Sequence, residues 1–291
     1  LAFRLAPRLN APGRLGDADS GLRILTEEDP QAATALASEM DRMNVRRRNL
    51  EQKVLSDIED RLREENGMRI DRRTLIFGGM DWHQGVLGIV ASRLVDRFHR
   101  PSLVFSIADG MATGSGRSIT GFNLYKALHH HRALFKRFGG HAHAAGMRLD
   151  KSNLRLLAEG FEALASNVLS DEDLVPAIDV DAELRLESVG DDLIQQMNRL
   201  APFGEQNSEP VFMASSVEVL ESSVVGNRHL KMKVKQGRAL KEVIGFRMGS
   251  IKPMDGSRVD FLFTPEYNRW RGRDRIQLRL VDLRPSSISR H

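Results

Sequence analysis

Three observations predict an α/β domain entered by one long helix and followed by a small all-β barrel. Residues 31–66 contain neither Pro nor Gly and repeat apolar side chains at helical spacing. From 74 to 169, short apolar runs alternate with helical patterns, as an α/β layer requires. Beyond 210 the helical period disappears, and five strand-like runs are separated by Gly, Asn, Asp or Pro turns.

The long helix is marked at both ends. Asp29 can cap it, Pro30 suits the first helical position, and Gly67 suits the residue just past the end. Leu36, Met40, Met43, Leu50, Val54, Ile58 and Leu62 recur at three- and four-residue steps, with Arg47 in the one missed slot. At 1.5 Å per residue this helix is about 54 Å long. It outruns one small domain and is expected to connect two.

After it, 74–77 reads as a strand, 84–98 as a helix and 102–107 as a second strand. A third strand at 111–115 precedes a helix from 123 to about 131, a strand at 143–149 and a helix at 153–169. The acidic stretch 174–186 has strand-like pieces, 191–200 resembles a short helix, and 201–210 (APFGEQNSEP) reads as a linker or an ordered turn. Strands are then expected at 211–219, 229–234, 242–246, 259–264 and 275–283, which fits an oligonucleotide-binding type of barrel or a sandwich. The expected organisation is 1–29, a helix at 30–67, an α/β domain at 68–173, an acidic connector and linker at 174–210, and a barrel at 211–291.

Composition bounds the function. The 291 residues are 41% hydrophobic and 28% charged, which excludes disorder, collagen and coiled coil alone. The absence of Cys excludes a disulfide-stapled secreted fold, thiol catalysis and a Cys-ligated zinc site. No apolar run approaches the roughly 20 residues that span a bilayer, and 1–10 lacks the apolar core of a signal peptide, so a cytoplasmic protein with no membrane partner is expected. Residues 1–149 carry 23 basic and 17 acidic side chains, 150–198 carry 3 and 12, and 199–291 carry 17 and 10. The two basic blocks fit either a polyanion touched at both ends or two basic domains around an acidic linker.

Four short segments could hold an anion. In FGGHAHAAG, 138–146, Gly139 and Gly140 let a ligand approach the backbone while His141 presents an imidazole; a tight turn into a strand would use the same small residues. In GSGRSI, 114–119, Ser115 and Ser118 offer donors and Arg117 a phosphate-matching fork, or the segment is only a Gly-rich turn. Asn10 and Arg14 stand beside a Pro/Gly turn in PRLNAPGRL, 7–15. Gly85 and Gly88 in DWHQGVLGIVASR, 81–93, lie near a helix start, which points to close packing or a ligand at its N-terminus. His129, His130 and His131 point about 100° apart on a helix and cannot converge on one metal, so a solvated helix end is expected. Near the end, YNRWRGRDR sets Tyr267 and Trp270 among Arg269, Arg271 and Arg273, a stacking and phosphate-neutralising mixture, or else a charged hairpin tip.

Taken in order, PRLNAPGRL, DWHQGVLGIVASR, GSGRSITGFNLY, RFGGHAHAAG, LAPFGEQNSEPVF and QLRLVDLRP closely resemble the bacterial RecJ single-strand-specific exonucleases of the DHH phosphoesterase superfamily, over essentially the whole chain. The resemblance implies a DHH catalytic domain whose tail is 1–29, the connecting helix, a DHH-associated domain carrying the GGH motif, and an OB-fold barrel. It also implies 5′-to-3′ hydrolysis of single-stranded DNA, in repair and recombination, with Mn2+ or Mg2+ held by Asp and His. By motif match, His141 is the expected catalytic residue, and Asn10, Arg14, Ser115, Arg117, Ser118, Gly139 and Gly140 hold DNA phosphate. The family's DHH triplet lies upstream of the LNAPGR segment, the chain begins with Leu, and no DHH tripeptide occurs in it. The expectation is therefore a C-terminal piece that binds single-stranded DNA without cleaving it, needs no metal of its own, acts as a monomer, and has other DNA-repair proteins as possible partners. The alternatives are an oligonucleotide phosphatase of the same superfamily, which usually ends soon after GGH, and a non-catalytic nucleic-acid-binding module.

Overall fold

The structure, a computed structural model, describes residues 4–66, 70–204, 206–270 and 273–286, with the backbone alone at 66, 269, 270, 273 and 274. The chain divides into two compact units, Leu1–Pro176 and Ala177–His291.

In the first unit, three short helices, α1 (Ala6–Leu9), α2 (Ala11–Leu15) and α3 (Asp19–Thr26), precede the long helix α4 (Pro30–Asn66). A carboxylate oxygen of Asp29 accepts from the N–H of Ala32 at 3.0 Å, satisfying one of the free donors of the first turn. Gly67 lies outside the described residues. Leu36, Met40, Val54, Ile58 and Leu62 form the buried stripe, as the spacing predicts. The middle of that stripe is polar. Asn44 and Glu51 are buried there, and the Arg47 guanidinium joins them, donating to Glu51 at 2.7 Å and to Asn44 at 3.3 Å.

A mixed five-stranded sheet follows: β1 (Leu75–Met80), β2 (Ser102–Ala108), β3 (Met111–Arg117), β4 (Phe135–Gly140) and β5 (Ala144–Asp150), in the order β1-β2-β3-β5-β4. Helix α5 (Gln84–Phe98) links the parallel pair β1–β2, while α6 (Leu124–His130) and α7 (Leu154–Val168) lie later in the chain. Alternation along the strands sorts two cores. Leu103, Phe105, Ala145, Met147 and Leu149 pack with Leu124, Leu157 and Phe161 of α6 and α7. On the other face, Leu75, Phe77 and Val104 pack with Val86, Leu87, Val90 and Leu94 of α5 and with Val54, Ile58 and Leu62 of α4.

One strand is added to the expected set, and one expectation is corrected. Residues 135–140 form an edge strand that sequence alternation does not show, because the pairing register shifts between Phe135 and Arg137 and breaks the period of two. The histidine run is not a uniformly solvated helix end. His129 and His130 are exposed, but the His131 ring packs on Phe161, with 5.5 Å between centroids. A Cβ on Gly160 would collide with this ring. Burial, then His130, pushes the His131 pKa down.

The second unit is a closed barrel. β7 (Phe212–Val225), β8 (His229–Gln236), β9 (Ala239–Gly245), β10 (Arg258–Trp270) and β11 (Arg273–Pro285) pair in the order β7-β8-β9-β11-β10, and β10 returns to β7 to close the ring. The alternating inward set includes Val217, Val219, Leu230, Met232, Val234, Val243, Phe261, Phe263 and Leu278. Of the acidic stretch only Ala182–Glu183 is a strand (β6), set parallel on β7. The stretch is not a free tether: Leu186, Val189 and, on α8 (Asp191–Asn198), Met197 belong to the barrel core.

Candidate nucleic-acid interface

Register on the first sheet decides which motif residues meet. Ser115 on β3 is paired with Gly146 on β5, and Gly146 with Gly139 on β4. The next row on the same face pairs Arg117 with Ala144, whose carbonyl accepts from the His141 N–H at 2.8 Å. These rows lie on the face that α5 covers only over β2 and β3, since Ser115 is aligned with Val104 of the α5 core. Over β5 and β4 the face is bare: a Cβ added to Gly146 or Gly139 would meet nothing within 4 Å. The two glycines thus expose a strip of backbone flanked by Ser115 and Arg117 on one side and by His141 on the other. Two strand spacings of about 4.8 Å set the Arg117 and His141 backbones roughly 10 Å apart, a span that holds a phosphodiester between them.

Gly140 has a different role. Its φ of +150° and the proximity of Ala144 and Ala145 leave no room for a side chain, so it forms the tight turn that delivers His141. His141 is exposed, and its Nδ1 faces the His143 N–H at 3.4 Å. With Nδ1 accepting, Nε2 is the ring nitrogen left to donate to an anion.

The α5 glycines make room for the two arginines. A Cβ on Gly88 would lie 3.2 Å from Arg117 Nη2 and 3.7 Å from Ser115 Cβ. One on Gly85 would overlap the carbonyl of Arg14, and Arg14 Nη1 donates weakly to the Gly85 carbonyl at 3.4 Å. α2 is therefore seated on the start of α5, with Arg14 exposed beside Arg117. Burial, then the charge of Arg14, pushes the Arg117 pKa down. An anion bound beside the two guanidiniums offsets their mutual repulsion. His83 caps α5, its Nδ1 accepting from the Gly85 N–H at 3.1 Å.

The remaining expected residues are placed less directly. Asn10 is exposed at the junction of α1 and α2, with no side-chain cap bond. The Ser118 hydroxyl donates to the Phe122 carbonyl at 2.7 Å, which fixes the turn after β3. In the second unit Tyr267 is half-buried on β10, and its hydroxyl donates to Asp191 at 2.8 Å. The side chains of Arg269, Trp270 and Arg273, and all of Arg271, lie outside the described residues.

A family model described as the DHHA1 domain matches residues 72–167, and one described as the RecJ OB domain matches 180–282. The chain is a RecJ-type DHHA1–OB region. It is 34% identical to the single-stranded-DNA-specific exonuclease RecJ of Bacillus subtilis, over 97% of this chain and 36% of that protein. Identity to the Escherichia coli RecJ is 33%, over 98% of this chain and 51% of that protein. A crystal structure of RecJ from Thermus thermophilus in complex with Mn2+ superposes with a TM-score of 0.82 at 29% identity, covering 98% of this chain and 41% of that one. This RecJ-type chain thus spans about half or less of the relatives it matches.

The Mn2+ in that relative invites a test of the residues present. Among the described residues no three His, Asp or Glu side chains gather as a metal centre would need. The described residues therefore supply no donor set that fits a metal ion. None of the described helices is long and apolar enough to cross a membrane.

Proposed function

We propose that this chain is the strand-binding part of a 5′-to-3′ single-stranded-DNA-specific exonuclease. The observation that carries the reading is the bare sheet face on which Ser115, Gly146 and Gly139 line up in register, between Arg117 with Arg14 and the exposed His141. Backbone without side chains, a guanidinium fork and an imidazole N–H suit a phosphodiester, and nothing in the arrangement reads base identity. Arg117, Ser115 and Arg14 grip a terminal phosphate, while His141 Nε2 donates to a neighbouring phosphate oxygen and stabilises the charge that builds there during hydrolysis.

The barrel adds a second grip. OB barrels hold single strands by stacking and by a basic groove, and the hairpin expectation at Tyr267, Arg269, Trp270, Arg271 and Arg273 stands as part of this proposal. The intact protein is proposed to be the metal-dependent nuclease, which rests on the RecJ relatives and the Mn2+ bound in one of them. The domain division expected from the sequence is proposed with one change: Leu186, Val189 and Met197 of the acidic stretch count with the barrel.

Substituting His141→Gln in the full-length protein tests the role. Turnover on single-stranded DNA is expected to fall about a hundredfold with oligonucleotide affinity little changed. Unchanged turnover removes His141 from the reaction. A length profile separates the phosphatase alternative, which would favour the shortest oligonucleotides.

A further inference from the structure

We propose that Arg137 and Arg148 form a second phosphate site, one nucleotide along the strand from the phosphate held at Ser115 and Arg117; this rests on the reading of the bare sheet face given above. Arg148 on β5 is paired directly with Arg137 on β4 and, on its other side, with Thr113 of β3. Both arginines are exposed, and alternation places them on the face of Gly146 and Gly139 rather than on the α6–α7 core face. Each lies two residues along its strand from one of those glycines. That step is about 6.6 Å, comparable to the separation of successive phosphates in an extended single strand.

The pair is electrostatically unfavourable as it stands. Like charges directly across two strands destabilise a sheet, and neither guanidinium has an ion-pair partner among the described residues. The nearest carboxylate in the next row, Asp150, is engaged by Lys136 at 3.0 Å. The fold thus keeps two uncompensated forks side by side on a face left open by α5, where a bridging phosphate would receive a hydrogen bond from each. Thr113 adds a hydroxyl on the same row. No carboxylate of β3, β4 or β5 other than Asp150 faces this strip.

The experiment measures binding of a 5′-phosphorylated mononucleotide and of a 5′-phosphorylated oligothymidylate to the full chain, its R137Q and R148Q variants and an R155Q control on α7. Each of the first two variants is expected to weaken oligonucleotide binding about tenfold and to lower the salt slope by about 0.7. Mononucleotide binding and thermal midpoint should not fall, and R155Q should behave as wild type. Unchanged oligonucleotide affinity overturns the second site, as does an equal loss of mononucleotide affinity or a fall in midpoint that accounts for the weaker binding. If the wild-type chain binds neither ligand, the underlying strand-binding reading fails, which is a different result.

Discussion

The carbonyl oxygen of Arg14 occupies the space that a side chain on Gly85 would need. This contact seats α2 on the start of α5 and brings one arginine of the proposed site beside the other. Gly85→Ala is expected to push α2 away, destabilise the first unit by about 1–3 kcal/mol and weaken single-strand binding. Thermal unfolding and an oligonucleotide titration check both effects; normal binding with a lowered midpoint would separate Arg14 from the site.

The two glycines of the GGH motif should fail differently. Gly139 opens on empty space, so Gly139→Val is expected to keep the fold and block the strip, reducing affinity at least tenfold with the midpoint held. Gly140 sits at φ +150° against Ala144, so Gly140→Ala is expected to cost about 1–3 kcal/mol of stability. Circular dichroism melts of the two variants distinguish them.

The barrel has an acid-sensitive latch. Burial alone would raise the Asp260 pKa, but hydrogen bonds from the Ser216 N–H at 2.9 Å, the Ser286 hydroxyl at 2.8 Å and Arg284 at 3.2 Å outweigh it and hold the carboxyl below its usual range. A depressed folded value stabilises the barrel above the ordinary Asp range, and that contribution is lost as pH falls through the folded value. Asp260→Asn is expected to cost about 1–3 kcal/mol at neutral pH and to flatten this part of the acid dependence. Denaturant midpoints of the second unit measured across pH 2–7 read it directly.

Much of the fold is legible in the sequence where one period runs uninterrupted. The helix α4, the α5 helix at 84–98 and the five barrel strands follow from their spacing. What escapes is set by pairing rather than by period. β4 is hidden by its register shift, barrel closure needs the contact of β10 with β7, and the acidic stretch hides its apolar anchors Leu186 and Val189 among charges. The site is half legible. GGH and GSGR are visible as strings, but only the row Ser115–Gly146–Gly139 shows that they share a face, and Arg148 is an ordinary basic residue until Arg137 is found across from it. His131 is misread because the space it fills is made by Gly160 on α7, far along the chain.

In the proposed function, Arg117 and Arg14 hold the phosphate backbone of a single strand. The most direct measurement is the affinity of this chain for a 5′-phosphorylated single-stranded oligonucleotide across a salt series, for wild type and for the R14Q/R117Q double variant. The wild-type affinity is expected to fall linearly in log salt, the double variant to bind about a hundredfold more weakly, and its slope to be smaller by about 1.4 for two lost phosphate contacts. Equal affinity and equal slope in the two proteins would contradict it.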